Sequence, residues 1–126
     1  MGLSNSKKVN PIDVNSDVYL IDGRKGETGS VFIGINNLAD FVFDHRFIYV
    51  DCPGCNHYKI YEWTKYGLKM FASHYYPINE SQYLGEASVK DVYKIANKIS
   101  IGKAFSLSSF NCKDWVALFE QNFNHI

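Results

Sequence analysis

The sequence predicts a single domain of the α+β class, an antiparallel sheet followed by two helices. β-rich segments lie in the first two thirds of the chain, and amphipathic helical periodicity begins after Ser88. A length of 126 residues corresponds to one domain, and 46% hydrophobic and 16% aromatic residues suffice for a buried core. We assign residues 16–126 to this domain and residues 1–15 to a flexible N-terminal segment.

The charge balance and the cysteine count exclude further classes of protein. Thirteen basic and thirteen acidic residues cancel, so the chain lacks the surplus of cations with which nucleic-acid-binding proteins displace counterions. We therefore expect no nucleic-acid partner. Three cysteines are an odd number and too few for a disulfide framework, which favours a reducing, cytoplasmic location. The sequence contains no apolar run long enough to span a membrane.

The N-terminal segment carries a lipidation pattern. Gly2 follows the initiator methionine and Ser6 lies four positions beyond it, which matches the N-myristoylation motif. Lys7 and Lys8 follow and would favour an anionic lipid surface. One myristoyl chain gives only reversible binding, so we expect peripheral membrane contact. The alternative is a polar start that happens to begin with glycine.

Two short strands are predicted early in the chain. Residues 16–21 alternate between polar and apolar side chains, and residues 31–35 form a short apolar run. A glycine-rich loop separates them. Residues 36–43 are compatible with a short helix or a turn.

A β-hairpin is the clearest local signal in the sequence. Residues 45–51 and 58–64 are both rich in β-branched and aromatic residues, and they bracket a turn at Pro53 and Gly54. Residues 66–73 continue the pattern as a third strand. Period-two alternation places His45 and Glu62 near the open end of the hairpin, where opposed side chains approach one another.

The C-terminal third is predicted to be helical. Ser88 is a suitable N-cap for a helix that runs to about residue 99, and Gly102 ends this excursion. Residues 103–110 are predicted to be extended or β-like. Asn111 then caps a last helix, whose inward stripe consists of Cys112, Val116, Phe119 and Phe123.

The position of Cys112 suggests nucleophilic chemistry. A cysteine in the first turn of a helix lies at the positive end of the macrodipole, which favours a thiolate. A nucleophile also needs a base, and the base needs a third group to orient it; His45 and Glu62 are available on paired strands. Free first-turn amides would contribute to an oxyanion hole. The alternative is structural, because free cysteines are among the most buried residues, His45 suits a strand edge and Glu62 a solvated strand face.

Three segments resemble motifs of the circularly permuted papain-like proteins. These include the lecithin–retinol acyltransferase-like proteins, permuted NlpC-type hydrolases and the PPPDE (iso)peptidases. Residues 45–50 (HRFIYV) look like the histidine strand, residues 61–63 (YEW) match the position of the third polar residue, and residues 110–116 (FNCKDWV) look like the asparagine–cysteine motif. Two features depart from the pattern: the acyltransferase branch has a second histidine where Glu62 stands, and the loop with Cys52 and Cys55 is unexpected.

The resemblance implies a permuted papain-like fold in which the C-terminal helix carries the nucleophile. Cys112 would attack a carbonyl of an amide or an acyl ester, His45 would act as base and then acid, and Glu62 would orient His45. The substrate would be an acyl-lipid or a peptide, and no cofactor is implied. Tyr49, Asn111 and Trp63 are the candidate binding residues around this site.

Two other functions compete with a thiol-dependent acyl hydrolase or acyltransferase. The first is a cysteine (iso)peptidase that acts on a protein or a protein tag. The second is a non-catalytic binding module that is recruited to membranes through its lipid.

The hairpin turn contains a second cysteine motif. Cys52, Cys55 and His57 have the Cys-x-x-Cys-x-His spacing of half a zinc site, for which His74 could supply a fourth ligand. The same Cys-x-x-Cys spacing occurs in redox pairs, although those sit at a helix start. We predict no metal here and interpret the cysteines as incidental to the turn.

Overall fold

The computed structural model of the chain describes residues 18–20, 27–37, 44–53 and 57–125. Within this part six strands precede two helices, so the predicted α+β class is confirmed. The elements are β1 (Val18–Leu20), β2 (Thr28–Asn36), β3 (His45–Asp51), β4 (Tyr58–Thr64), β5 (Gly67–Ser73), β6 (Glu80–Ser88), α1 (Val89–Ser100) and α2 (Cys112–Phe123).

The six strands form one sheet in the order β1-β5-β4-β3-β2-β6. All neighbouring strands are antiparallel. The predicted hairpin is β3–β4, and β5 continues it after a tight turn at Lys65 and Tyr66. Gly67 closes this turn at φ +100°, a conformation that favours glycine. The β5–β6 connection must then cross three intervening strands, because β6 lies at the far edge beside β2.

Helices and sheet enclose the main core between them. Each large apolar side chain that this core removes from water contributes about 1.5–3 kcal/mol. The sheet contributes Val31, Ile33, Ile48, Val50, Tyr61 and Trp63, and the helices contribute chiefly Val92, Ala96, Ile99, Trp115, Val116, Phe119 and Phe123.

A smaller core covers the opposite face of the sheet. Its buried residues are Phe47, Tyr49, Ile60 and Phe71, and Tyr76 and Ile78 from the β5–β6 connection pack against them. Because side chains alternate along a strand, His45 on β3 and Glu62 on β4 belong to this second face. The connection therefore covers the sheet near the two polar residues.

Both helices begin at the N-cap residues that the sequence predicts, Ser88 and Asn111. The Ser88 side chain accepts a hydrogen bond from the Asp91 amide at the start of α1. Asn111 and Asp114 form a reciprocal capping box at the start of α2. The four residues of the predicted inward stripe of α2 are all buried.

Two segments differ from the prediction. Strand β6 was not predicted, because its first four residues are exposed and an exposed edge strand shows no clear hydrophobic alternation. Residues 103–110 were predicted to be extended or β-like, but 103–105 have no regular structure and 106–110 form a turn closed by one isolated bridge between Ser106 and Phe110. A turn that closes within five residues leaves no room for a strand.

Some predictions fall on residues that the structure does not describe. The proposed helix or turn at 36–43 is one, since only Asn36 and Asn37 are described and 38–43 are not. The flexible segment 1–15 is another, and the single-domain assignment of 16–126 stays a prediction. Among the described residues, neither helix has the length and apolar character needed to cross a bilayer.

Candidate active site

Strands β3 and β4 bring His45 and Glu62 together. The ladder between these strands ends at Ile48 and Tyr61, so the hairpin opens before His45. Across this opening His45 Nε2 lies 2.7 Å from Glu62 Oε1. The residues are only 9% and 4% exposed, so little water competes with this contact. Since Nε2 faces Glu62, Nδ1 is the ring nitrogen left for another partner.

Cys112 reaches the same place from the other end of the chain. It is the first residue of α2 and is 2% exposed. The Arg46 amide donates to Cys112 Sγ over 3.5 Å, and Sγ lies 3.9 Å from the Asp44 carbonyl oxygen. Cys112 also lies close enough to His45 to help raise the pKa of that imidazole. The start of α2 is therefore packed against the start of β3, and thiol, imidazole and carboxylate form a continuous series.

The electrostatics of the site favour a charged imidazole. Burial by itself lowers the pKa of His45, but hydrogen bonds with Cys112 and Glu62 and the charge of Glu62 outweigh it and raise the pKa from 6.5 to about 9. Burial likewise raises the pKa of Glu62, but the hydrogen bond and charge of His45, with smaller contributions from Tyr76 and Lys69, lower it overall. His45 and Glu62 therefore form a buried ion pair at neutral pH.

Tyr76 and Lys69 also contact the carboxylate, and no local pattern in the sequence predicts either contact. The Tyr76 hydroxyl donates to Glu62 Oε1 over 2.6 Å, the same oxygen that faces His45. Lys69 Nζ lies 3.6 Å from the other oxygen, Oε2. The Tyr76 ring also packs edge-on against Phe47, with ring centroids 5.0 Å apart. Glu62 is thus held from three directions.

Tyr76 belongs to the β5–β6 connection, residues 74–79, which is tied to the end of β2. The Asn36 side-chain amide donates to the Pro77 carbonyl oxygen over 3.2 Å. The Asn79 amide donates to the Ile35 carbonyl oxygen over 2.8 Å, and Asn79 Oδ1 accepts from the Asn37 amide. Residues 74–79 form neither a helix nor a strand, so no periodic pattern predicts which way Tyr76 points. The path of the connection over the sheet brings Tyr76 to Glu62.

The capping box changes the predicted oxyanion hole. Asn111 Oδ1 accepts from the amides of Lys113 and Asp114, and Asp114 Oδ2 accepts from the amide of Asn111. These amides are therefore already used. The Cys112 amide is the first-turn donor that the capping box leaves out, so it is the amide that could face a developing oxyanion.

The three predicted binding residues have other contacts in the described part of the chain. The Tyr49 hydroxyl bonds to Ser81 Oγ over 2.7 Å, and its ring stacks on Phe32. Asn111 is the N-cap of α2. Trp63 is buried and its Nε1 donates to the Phe110 carbonyl oxygen just before α2. Asn111 and Trp63 therefore support the backbone around Cys112, whereas Tyr49 joins β3 to β6.

The second cysteine motif is described only in part. Cys52 is buried, and the rings of His57 and His74 stack with centroids 4.1 Å apart. Among the described residues no group of three or more cysteine, histidine or acidic side chains could hold a metal ion. Cys55 lies outside those residues, as do Gly2, Lys7 and Lys8.

Comparison with protein-family models, with curated proteins and with solved structures finds no match for this chain.

Proposed function

We propose that the protein is a thiol-dependent acyl hydrolase or acyltransferase in which Cys112, His45 and Glu62 act together. One observation carries the proposal: three separate elements bring thiol, imidazole and carboxylate into one buried cluster, in which the imidazole is hydrogen-bonded to the carboxylate and interacts electrostatically with the thiol. This is the arrangement of an activated nucleophile, its base and an orienting group. The permuted papain-like fold is part of the proposal and is supported by the order in the chain, histidine strand before cysteine helix.

The reaction follows from the positions of these groups. The Cys112 thiolate attacks the substrate carbonyl and forms an S–C bond, and the Cys112 amide donates to the resulting oxyanion. The bond to the leaving oxygen or nitrogen then breaks as the His45 imidazolium donates its proton to that atom. In the second half, His45 takes a proton from water or another acceptor, which attacks the thioester and releases Cys112. Glu62 holds the imidazole throughout.

The substrate is an amide or an acyl ester, such as a peptide or an acyl-lipid. A cysteine (iso)peptidase that acts on a protein would use the same three residues and differ only in its leaving group. Because Cys112 is 2% exposed, a large substrate can reach Sγ only after a local opening.

Peripheral membrane contact through a myristoylated Gly2, with Lys7 and Lys8, belongs to this proposal, as does a cytoplasmic location. It has its own test, the incorporation of labelled myristate at Gly2 in eukaryotic cells. A protein that stays unlabelled there, while a known myristoylated protein in the same cells is labelled, would refute it.

The catalytic proposal is tested by trapping the acyl-enzyme. The protein is treated with p-nitrophenyl acetate, and peptide mass spectrometry locates the acetyl group. We expect a thioester on Cys112. It should form about 10²-fold more slowly in His45→Ala and at an unchanged rate in the matched control His74→Ala. Acetylation of Cys112 at equal rates in the wild type and His45→Ala would show that Cys112 is an ordinary thiol that His45 does not activate.

A further inference from the structure

Arg46 lies beside the candidate nucleophile but on the other side of strand β3 from His45. Its backbone amide donates to Cys112 Sγ over 3.5 Å. Ile48 and Val50, two and four residues further on, belong to the core between sheet and helices. Alternation therefore places the Arg46 side chain on the helix-bearing face, where the first turn of α2 packs against the start of β3.

The Arg46 guanidinium is a cation that the described part of the chain leaves unneutralised. The residue is half-buried, and its Nε atom is buried without a hydrogen-bond partner. The two ion pairs formed among the described residues join His45 and Lys69 to Glu62 and do not involve Arg46. A buried donor without an acceptor destabilises the folded protein, because it has lost its hydrogen bonds to water. Because the backbone of Arg46 contacts Cys112 Sγ, an unpartnered donor on its side chain suggests a ligand that supplies the acceptor.

The neighbouring charges point to the same ligand chemistry. The acidic residues closest in sequence to Arg46 and Cys112 are Asp44 and Asp114. Neither is in an ion pair among the described residues, and Asp114 already accepts a hydrogen bond from the Asn111 amide. The amides of Asn111, Lys113 and Asp114 are occupied by the capping box, and the proposed function assigns the Cys112 amide to the oxyanion, so Arg46 is the donor available to a second, anionic group. A guanidinium offers a planar fork that matches two oxygens of a carboxylate or a phosphate.

We propose that Arg46 determines substrate specificity by binding an anionic oxygen group, a carboxylate or a phosphate, that the acyl substrate carries near its scissile carbonyl. This inference rests on the proposed function of Cys112. It narrows the substrate class to anionic acyl compounds, such as a phosphate-bearing acyl ester or a peptide with a nearby carboxylate. Neutral acyl compounds would lack the partner for Arg46.

Alkylation with two matched reagents tests the inference without requiring turnover. Iodoacetate and iodoacetamide both form an S–C bond at the thiolate and release iodide, but only iodoacetate is an anion. The ratio of their rates at Cys112, read by peptide mass spectrometry, measures the attraction of an anion to the site. Arg46→Gln should lower the ratio about three- to tenfold, as expected for one charge at short range, and Arg46→Lys should lower it less. The matched control is Lys113→Gln, which removes an exposed charge next to Cys112 and should change the ratio by less than twofold.

Competing anions identify the group that is bound. Dimethyl phosphate imitates a phosphodiester, and acetate imitates a carboxylate. The anion that binds at Arg46 should slow iodoacetate labelling of the wild type but not of Arg46→Gln, and it identifies the anionic group of the substrate. Circular dichroism checks that the variants fold.

The failures of the two proposals are distinguishable. If Cys112 reacts rapidly in a His45-dependent manner and the ratio is the same in Arg46→Gln, the role of Arg46 is refuted and the function of Cys112 stands. A decrease of the same size in the rate ratio of Lys113→Gln also refutes a specific role of Arg46. It would show that any nearby positive charge attracts iodoacetate to Cys112. If Cys112 reacts with neither reagent, both proposals fail.

Discussion

The two buried cysteines of the described chain, Cys112 and Cys52, are equally hidden but differ in their surroundings. They are 2% and 3% exposed, so burial does not separate them. Cys52 lies in the apolar core with Val50 and Tyr61, whereas Cys112 starts a helix and is linked to His45 and, through it, to Glu62. The charged groups beside a thiol, and not its depth, decide whether it is expected to be reactive.

Replacing each cysteine in turn should give the largest contrast. Cys112→Ala should reduce acyl transfer about 10³-fold or more, because the nucleophile is removed. Cys52→Ala should leave the rate within twofold and lower the free energy of unfolding by about 1 kcal/mol. Hydrolysis of p-nitrophenyl acetate and urea unfolding measure the two effects. A rate that falls more in Cys52→Ala than in Cys112→Ala would invert the comparison.

The carboxylate should matter through the charge on His45. Glu62→Gln keeps the shape but removes the charge that helps to raise the pKa of His45 to about 9. In the wild type the rate should fall as pH rises through about 9, since His45 then loses the proton that it donates to the leaving group. In Glu62→Gln this fall should occur at lower pH and the maximal rate should drop about 10²-fold. A pH–rate profile of both proteins is the measurement, and an unmoved alkaline limb would contradict the role of Glu62.

Tyr76 should have a smaller effect as a positioning residue. Tyr76→Phe keeps the ring beside Phe47 but removes the hydrogen bond to Glu62 Oε1. A hydrogen bond to a charged group contributes about 1.5–3 kcal/mol, and since His45 and Lys69 still hold Glu62, we expect a loss in kcat of roughly tenfold or less. The pKa of Glu62 should rise, so the acid limb of the pH–rate profile should move to higher pH. Tyr58→Phe, which changes a tyrosine on the same face, is the control and should leave kcat and the acid limb unchanged. If Tyr76→Phe and Tyr58→Phe shift the acid limb equally, the effect is due to packing and not to the hydrogen bond with Glu62.

The smallest expected effect concerns stability. The pKa of His45 is higher in the folded protein than its ordinary 6.5, so protonation of His45 stabilises the fold. This contribution is fully present below about pH 6.5 and is lost as pH rises through about 9. The urea midpoint of the wild type should therefore fall over this range by more than that of His45→Gln. Parallel curves for the two proteins would show that His45 is not linked to folding.

Local signals in the sequence determined the helices and the hairpin. Ser88 and Asn111 mark both helix starts because an N-cap satisfies orphan amides within three residues of itself. The turn-forming residues Pro53 and Gly54 and the two β-rich runs around them predicted β3 and β4, because turn and strand preferences also act over a few neighbouring residues. Period-two alternation placed His45 and Glu62 on one face at the open end, and the 2.7 Å contact is found there.

The remaining features depend on contacts between residues far apart in the chain. Strand β6 is exposed over its first half and is a strand only because β2 offers it hydrogen-bond partners. Tyr76 reaches Glu62 because the β5–β6 connection has to cross the sheet, and the amide of Arg46 meets Cys112 because α2 packs on β3.

The sequence by itself thus determined which residues carry the candidate chemistry, since residue type, capping and alternation act within a few positions of the chain. The tertiary structure alone decided what surrounds them: the hydroxyl and the ammonium on Glu62, the capped amides around Cys112 and the Arg46 guanidinium, which the described residues leave unneutralised. Packing of distant segments sets these distances, and no local pattern encodes them.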